Sequence, residues 1–187
     1  MKRLALALLL LGHVAIASAT CADMWEWVEA SCRTVVDTYK RGDDQLLVSG
    51  YAWHLPWTWT AERRAQENSQ AWGGGWARTV ERPNGDTDSV FFLVFEDSHK
   101  DAQFNVGYSW MTYWRDRDNV QPGLGFSAFI LQRPDIANGI PVPAVLPMLG
   151  LRYQKFTLLS AFIPTLNGGV NHGSVLYFFA SLGFDGK

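Results

Sequence analysis

The stretch 174–184, Ser-Val-Leu-Tyr-Phe-Phe-Ala-Ser-Leu-Gly-Phe, constrains this chain more than any other. Read with a period of two, Leu176, Phe178, Ala180, Leu182 and Phe184 share one face. Val175, Tyr177, Phe179, Ser181 and Gly183 share the other. A strand of about ten residues, wholly apolar on one face and mixed on the other, is the unit of a membrane β-barrel. It is equally the unit of a soluble barrel whose apolar face turns inward. This segment alone does not choose between them.

No stretch beyond the N-terminus is apolar for the ~20 residues that a spanning helix requires. A membrane-spanning form of this chain must therefore cross with strands. The N-terminus reads as a secretory signal. Lys2 and Arg3 precede an apolar run over 4–16, and Ala17-Ser18-Ala19 is an A-x-A cleavage site. The mature chain is expected to begin near Thr20, with residues 1–19 removed. Thr20 stands where a lipoprotein would carry a small residue before its cysteine, so lipidation of Cys21 is not expected.

Residues 20–42 form the next unit. Asp23 is a candidate N-cap, and Met24, Trp25, Val28, Cys32, Val35, Val36 and Tyr39 recur at spacings of three and four. Glu26, Glu29, Arg33 and Asp37 take the opposite side, and Gly42 stops the helix. An amphipathic helix of this kind packs on a soluble core or lies in a membrane interface. Export permits a disulfide between Cys21 and Cys32. A bond across a helix over 23–39, rising about 1.5 Å per residue, requires the first residues to fold back along it. The two thiols are therefore expected to be free or paired between chains.

Strand-like runs fill residues 43–187. In 45–60 the positions Tyr51, Trp53, Leu55, Trp57 and Trp59 alternate with Ala52, His54, Pro56, Thr58 and Thr60. Further strands are expected over 72–81, 89–96, 104–114, 123–132, 145–153, 156–163 and 174–184, separated by polar, Gly- or Pro-bearing loops such as Pro83-Asn84-Gly85-Asp86 and Leu166-Asn167-Gly168-Gly169. Eight antiparallel strands close a barrel whose interior holds side chains or one small ligand. The chain carries nine Trp, more than eight strands can enclose, so the bulky faces are placed outward toward lipid. Trp53, Trp57, Phe126 and Phe178 are expected to face lipid. Gly107, Ser109, Met111, Gly125, Ser127, Phe129, Tyr177, Phe179 and Ser181, with His54, are expected to line a small, apolar lumen suited to a hydrocarbon chain. The fold class is an eight-stranded antiparallel transmembrane β-barrel preceded by an amphipathic helix.

A net charge of −2 gives no electrostatic footprint for nucleic acid. No metal motif, phosphate loop, G-x-S-x-G elbow or dinucleotide fingerprint is present, so no metal and no cofactor are expected. His54, on the small face of an otherwise aromatic strand, and Asp97-Ser98, at the end of the third strand, are the candidates for chemistry. A His, an Asp and a Ser can support acyl transfer if they converge. A turn Asp-Ser and a hydrogen-bonded strand His account for the same residues without it.

An ordered set of short motifs then weighs in. Ala52-Trp53-His54, Trp72-Gly73-Gly74-Gly75, Phe95-Glu96-Asp97-Ser98, Gly107-Tyr108-Ser109-Trp110, Gly123-Leu124-Gly125-Phe126, Ile140-Pro141-Val142-Pro143 with Leu146-Pro147, and Ile163-Pro164 cover essentially the whole mature chain. With them the sequence resembles the lipid A palmitoyltransferases, the PagP family. The resemblance implies an outer-membrane enzyme that moves an acyl chain from the sn-1 position of a glycerophospholipid to lipid A, working as a monomer. It implies that His54, Asp97 and Ser98 are the essential positions, at the extracellular mouth. It implies an apolar acyl well involving Gly107, Ser109, Met111, Phe129 and Phe179, with Ser109 at its floor where a palmitate-selective member has glycine. It implies a lateral gap at Pro147 and Pro164, where strand hydrogen bonding is interrupted. At the family's other gap this chain has Ser49 and Ala71 where prolines are expected. The tail Asp185-Gly186-Lys187 also departs from the usual aromatic end. The competing readings are a non-enzymatic small barrel that binds or passes apolar molecules and a soluble periplasmic lipid carrier. Outward aromatics disfavour the carrier, and a carrier needs no His and Asp-Ser at one mouth, so convergence of His54 with Asp97-Ser98 in space would discriminate.

Overall fold

The computed structural model describes residue 21 and residues 25–115, 118–165 and 172–184. The expected signal segment, the Asp23 cap, the Leu166-Asn167-Gly168-Gly169 turn and the C-terminal tail lie outside the described residues. Helix α1 spans Glu26–Arg41. Eight strands follow: β1 Asp43–His54, β2 Gln70–Glu81, β3 Thr87–Glu96, β4 Ala102–Tyr113, β5 Gln121–Gln132, β6 Val142–Tyr153, β7 Phe156–Ile163 and β8 Val175–Gly183. A single helical turn, α2, spans Ala61–Arg64 between β1 and β2. Each strand pairs antiparallel with its sequence neighbour, and β1 pairs with β8, closing the barrel. Closure pairs every strand on both sides over most of its length, the condition for sheet structure in hydrocarbon. Among the described residues no helix is long and apolar enough to cross a membrane.

The outer surface is the apolar one. Leu46, Val48, Trp53, Phe104, Val106, Leu124, Phe126, Ile130, Val145, Leu149, Leu158 and Leu182 are all exposed. An exposed apolar band of this breadth is foreign to a soluble monomer and expected of a lipid-facing wall. Phe178 lies on the same outward set of β8 as Leu182, while Tyr177 and Phe179 line the interior. His54, Ser109 and Ser127 line interior cavities, as their alternation predicts.

A bulge in β1 decides where His54 points. Register shifts between Ser49 and Tyr51. Below it Leu47 and Ser49 are buried; above it the buried set moves to Ala52 and His54. An inserted residue reverses the faces of everything beyond it. Strand β1 also stops at His54, earlier than the expected 45–60. Pro56 has no N–H with which to continue the ladder. Trp57 is therefore a mouth residue, 73% exposed, rather than a strand residue. Trp59, expected on the outward face, is instead buried.

Helix α1 packs outside the barrel against β2 and β3, burying Thr38 and leaving Trp25, Trp27, Val35 and Tyr39 exposed. Gly42 ends it because a side chain there has no room. A Cβ would lie 2.6 Å from the Thr38 carbonyl oxygen and 2.8 Å from the Thr79 nitrogen. Arg78 ties the joint, donating to the carbonyl oxygens of Tyr39 and Gly42. The expectation for the cysteines is overturned. Cys21 and Cys32 are joined in a disulfide, with Cα atoms 5.8 Å apart. The helix begins only at Glu26, so Cys21 lies outside it and is not held at the rise of a helix starting at residue 23.

Candidate active site

Two compartments are lined by the described residues of the interior. The one at the mouth is lined by Ala52, Phe95, Phe129, Leu146, Ile163 and Tyr177, with His54, Asp97 and Ser98 at its rim. Phe95 stacks on Tyr177 with centroids 4.5 Å apart, and Tyr177 on Phe179 at 5.6 Å. This wall is aromatic and aliphatic. The other compartment opens at the helix end. It is lined by Ser109, Met111, Gln45, Glu81, Arg152 and Lys155 among others, so the lumen is not apolar throughout as expected. Arg152 donates to Gln121 (2.9 Å), stacks over the Tyr113 ring (4.0 Å) and pairs with Glu81 (3.7 Å). Phe91, Leu93, Ser127, Met148 and Phe179 line both compartments and mark their junction.

The acyl-well residues therefore divide. Phe129 lines the mouth compartment, Ser109 and Met111 the lower one, and Phe179 both. Gly107 lines neither but lets β4 and β5 approach; a Cβ there would lie 2.3 Å from that of Phe129. A row of hydroxyls crosses this level. Thr79, Ser89, Ser109 and Ser127 are successive cross-strand partners from β2 to β5. The Thr79 and Ser89 hydroxyls are 2.8 Å apart.

At the rim, His54 and Ser98 meet. His54 is 2% exposed, and its Nε2 lies 3.3 Å from Ser98 Oγ. Its ring stands edge-on to Trp59 at 4.9 Å, and the Trp59 indole N–H donates to the Ser174 carbonyl at 3.0 Å. Trp59 thus walls the imidazole, a role its position in an aromatic run did not reveal. A close approach by Gly173 makes room, since a Cβ there would lie 2.4 Å from the indole.

Asp97 is buried beside Ser98 but turns away from His54. Its Oδ1 accepts the backbone N–H groups of His99 (2.8 Å) and Asp101 (2.9 Å), ordering the loop between β3 and β4. Its Oδ2 has no hydrogen-bond donor and lies 3.4 Å from Arg133 Nε. Asp97, His99 and Asp135 converge as cation ligands would. The positive charge among them is Arg133, which also binds Asp135 through Nε (2.5 Å) and a second nitrogen (2.7 Å).

Two seams differ. The β6–β7 ladder runs from Tyr153↔Phe156 to Met148↔Ala161 and stops there. Above it residues 142–147 of β6 pair only with β5. Pro143 and Pro147 have no N–H to offer, and Leu146, Met148, Ala161 and Ile163 of the mouth compartment flank the opening. The β1–β2 seam, with Ser49 and Ala71 in place of prolines, is hydrogen-bonded through its bulge. It pairs as far as Tyr51↔Gln70, then Ala52 N–H donates to Ser69 O at 2.9 Å. Ser49 Oγ donates to the Ala71 carbonyl and accepts the Tyr177 hydroxyl at 2.5 Å.

Residues 34–181 match the family described as "Antimicrobial peptide resistance and lipid A acylation protein PagP". The chain is similar to proteins named lipid A acyltransferase PagP. That of Bordetella parapertussis is 31% identical over 178 residues, covering 95% of this chain and 94% of the relative. That of Methylobacillus flagellatus is 30% identical over 168 residues, 90% of each. That of Legionella pneumophila is 30% identical over 188 residues, 97% of this chain and 99% of the relative.

Proposed function

This chain belongs to the PagP family of lipid A acylation proteins, and from that membership we propose that it is an outer-membrane enzyme transferring a fatty acyl chain from the sn-1 position of a glycerophospholipid to a lipid A hydroxyl. Residues 1–19 act as its export signal, and the barrel works as a monomer. The observation that carries the reading is the junction of a His54–Ser98 pair with an aromatic, apolar compartment. A hydrocarbon chain fills such a compartment, which brings its ester to the rim.

At the rim a new bond forms between an attacking hydroxyl oxygen and the acyl carbonyl carbon, and the bond to the glycerol oxygen breaks. His54 Nε2 takes the proton of the attacking hydroxyl and returns it to the departing glycerol oxygen, the double duty of a general acid–base. Ser98 is the hydroxyl held on that nitrogen. Asp97 serves the site from behind: it orders the loop that presents Ser98 and holds Arg133 at the mouth.

Orientation in the membrane follows the connections. The loops at the helix end, 82–86, 114–120 and 154–155, span at most seven residues; those at the His54 end include the longer 55–69 and 133–141. Short turns face the periplasm and longer loops the exterior in such barrels. This supports an extracellular mouth, where lipid A resides. The β6–β7 seam beyond Met148↔Ala161, beside Pro147, is the lateral route by which an acyl chain enters from the bilayer.

The reading is tested with purified protein in detergent, phospholipid labelled at the sn-1 chain, and lipid A. Label moves to lipid A with the unaltered chain and is lost, by about two to four orders of magnitude in rate, with His54→Ala. Near-normal transfer by His54→Ala overturns it.

A further inference from the structure

We infer that Ser69 is a positioning residue of this site: its hydroxyl holds the His54 ring with Nδ1 protonated, leaving Nε2 free to act on the Ser98 side. The inference rests on the acyl-transfer reading but concerns a residue that reading does not use.

A histidine that accepts a proton at one nitrogen needs the other to carry hydrogen, and a neighbouring acceptor fixes which is which. In hydrolases built on a serine and a histidine a carboxylate does this. Here Asp97 is otherwise engaged, with one oxygen on two loop amides and the other facing Arg133. The side chain that faces His54 Nδ1 is Ser69, with its Oγ 3.4 Å away, and the ring also hydrogen-bonds the Ala52 backbone. The two hydroxyls therefore bracket the imidazole, Ser98 on Nε2 and Ser69 on Nδ1. Contacts of this length before substrate binding shorten as a site closes.

The backbone around Ser69 is built to hold it there. Its carbonyl accepts the Ala52 N–H at 2.9 Å, two residues before His54 on β1. One residue earlier, Asn68 N–H donates to the Ser98 carbonyl at 3.0 Å. Asn68 also turns its own side chain back, accepting from Gln70 N–H at 3.0 Å and donating to the Gln70 carbonyl at 2.7 Å. Residues 68–69 thus strap the base's strand to the serine's loop. Ser69 does not line the mouth compartment, whereas His54 and Ser98 do. It stands behind the ring, out of reach of substrate. The closed β1–β2 seam supplies this strap, because Ala52 keeps an N–H directed at Ser69.

The test combines kinetics with the ¹⁵N spectrum of histidine-labelled, refolded protein, in which His54 is assigned by its loss in His54→Ala. The unaltered chain is expected to show the Nδ1–H form of His54. Ser69→Ala keeps every backbone bond of the strap, so the barrel folds, as its heat-modifiable gel mobility reports. It lowers kcat about three- to tenfold, the size of one neutral hydrogen bond, leaves KM unchanged, and turns the His54 signal toward a tautomer mixture. Ser69→Thr, which retains the hydroxyl, restores both. An unchanged kcat in Ser69→Ala, or a lowered kcat with an unchanged His54 spectrum, overturns the inference. Absence of any transfer by the unaltered chain would instead fail the acyl-transfer reading, and the spectrum alone would then report whether Ser69 sets the tautomer.

Discussion

Acyl-chain length is where the interior makes its sharpest demand. The apolar mouth compartment gives way to a polar one at the level where Thr79, Ser89, Ser109 and Ser127 stand side by side. A methyl end that reaches this row meets hydroxyls in place of hydrocarbon. Burying a hydroxyl against hydrocarbon without a partner costs about 1–3 kcal/mol. Each methylene that finds an apolar berth gains about 0.8 kcal/mol, roughly fourfold in rate or affinity. Ser109→Gly removes a side chain of about methylene size plus its hydroxyl. It should admit one or two further methylenes, raising palmitoyl over myristoyl transfer by about fourfold to fifteenfold. Ser127→Ala, at the junction of both compartments, should move selectivity the same way through polarity with little change in volume. The assay is transfer to lipid A from phospholipids of graded sn-1 chain length. Identical length profiles for Ser109→Gly and the unaltered chain would show that Ser109 is no part of the stop. A shift toward shorter chains would refute the physical argument itself.

Three further outcomes follow from the geometry. In a background lacking the native cysteines, a disulfide between Leu146→Cys and Ile163→Cys across the open β6–β7 seam should abolish transfer, with reductant restoring it. The same bridge between Tyr51→Cys and Gln70→Cys, across a seam already paired, should leave transfer intact, and full activity of the oxidised β6–β7 pair would end the lateral-route proposal. Asp97→Ala removes the acceptor of two loop amides and leaves Arg133 with Asp135 as its carboxylate partner, so it should cost about 1–3 kcal/mol per orphaned amide in mouth stability. Asp97→Asn keeps the amide acceptor and should recover the loop but not the Arg133 pairing, as loop proteolysis and turnover measured together would show; equal losses in both variants would contradict this division. Finally, the unreduced chain should carry no thiol reactive to alkylation, and reduction should expose the segment before α1 to protease while leaving the barrel intact. A loop of 11 residues limits the disulfide's contribution to about 2–3 kcal/mol; global unfolding on reduction would be inconsistent with it.

The barrel was legible because lipid forces a strict period of two. All eight strands lie where the alternation puts them, within three residues at each end except β1, which stops six residues early. Legibility failed where a residue's neighbours come from elsewhere in the chain. Trp59 continues an aromatic run in sequence, yet Pro56 ends the strand and the tryptophan folds over His54. Ser69 sits in a polar loop with nothing local to mark it; only the pairing of that loop with Ala52 and Ser98 gives it meaning. The pairing of Cys21 with Cys32 depended on where α1 begins, and a helix boundary is the least readable feature of a helix. The polar lower compartment was hidden because Gln121 and Arg152 lie at strand ends, where sequence alone reads them as solvated, although both are buried. His54, Ser98 and Asp97 stand out in the sequence as candidates, but the direction in which Asp97 turns does not, because its partners are loop amides and Arg133.

The most direct test of the central claim is the mass of lipid A extracted from bacteria lacking any lipid A acyltransferase of this kind and expressing this chain. The account predicts that lipid A gains the mass of one fatty acyl chain with the unaltered protein. It predicts no gain with His54→Ala inserted in the membrane at equal level. An unshifted lipid A with the unaltered protein present in the outer membrane, or the same gain with His54→Ala, would contradict it.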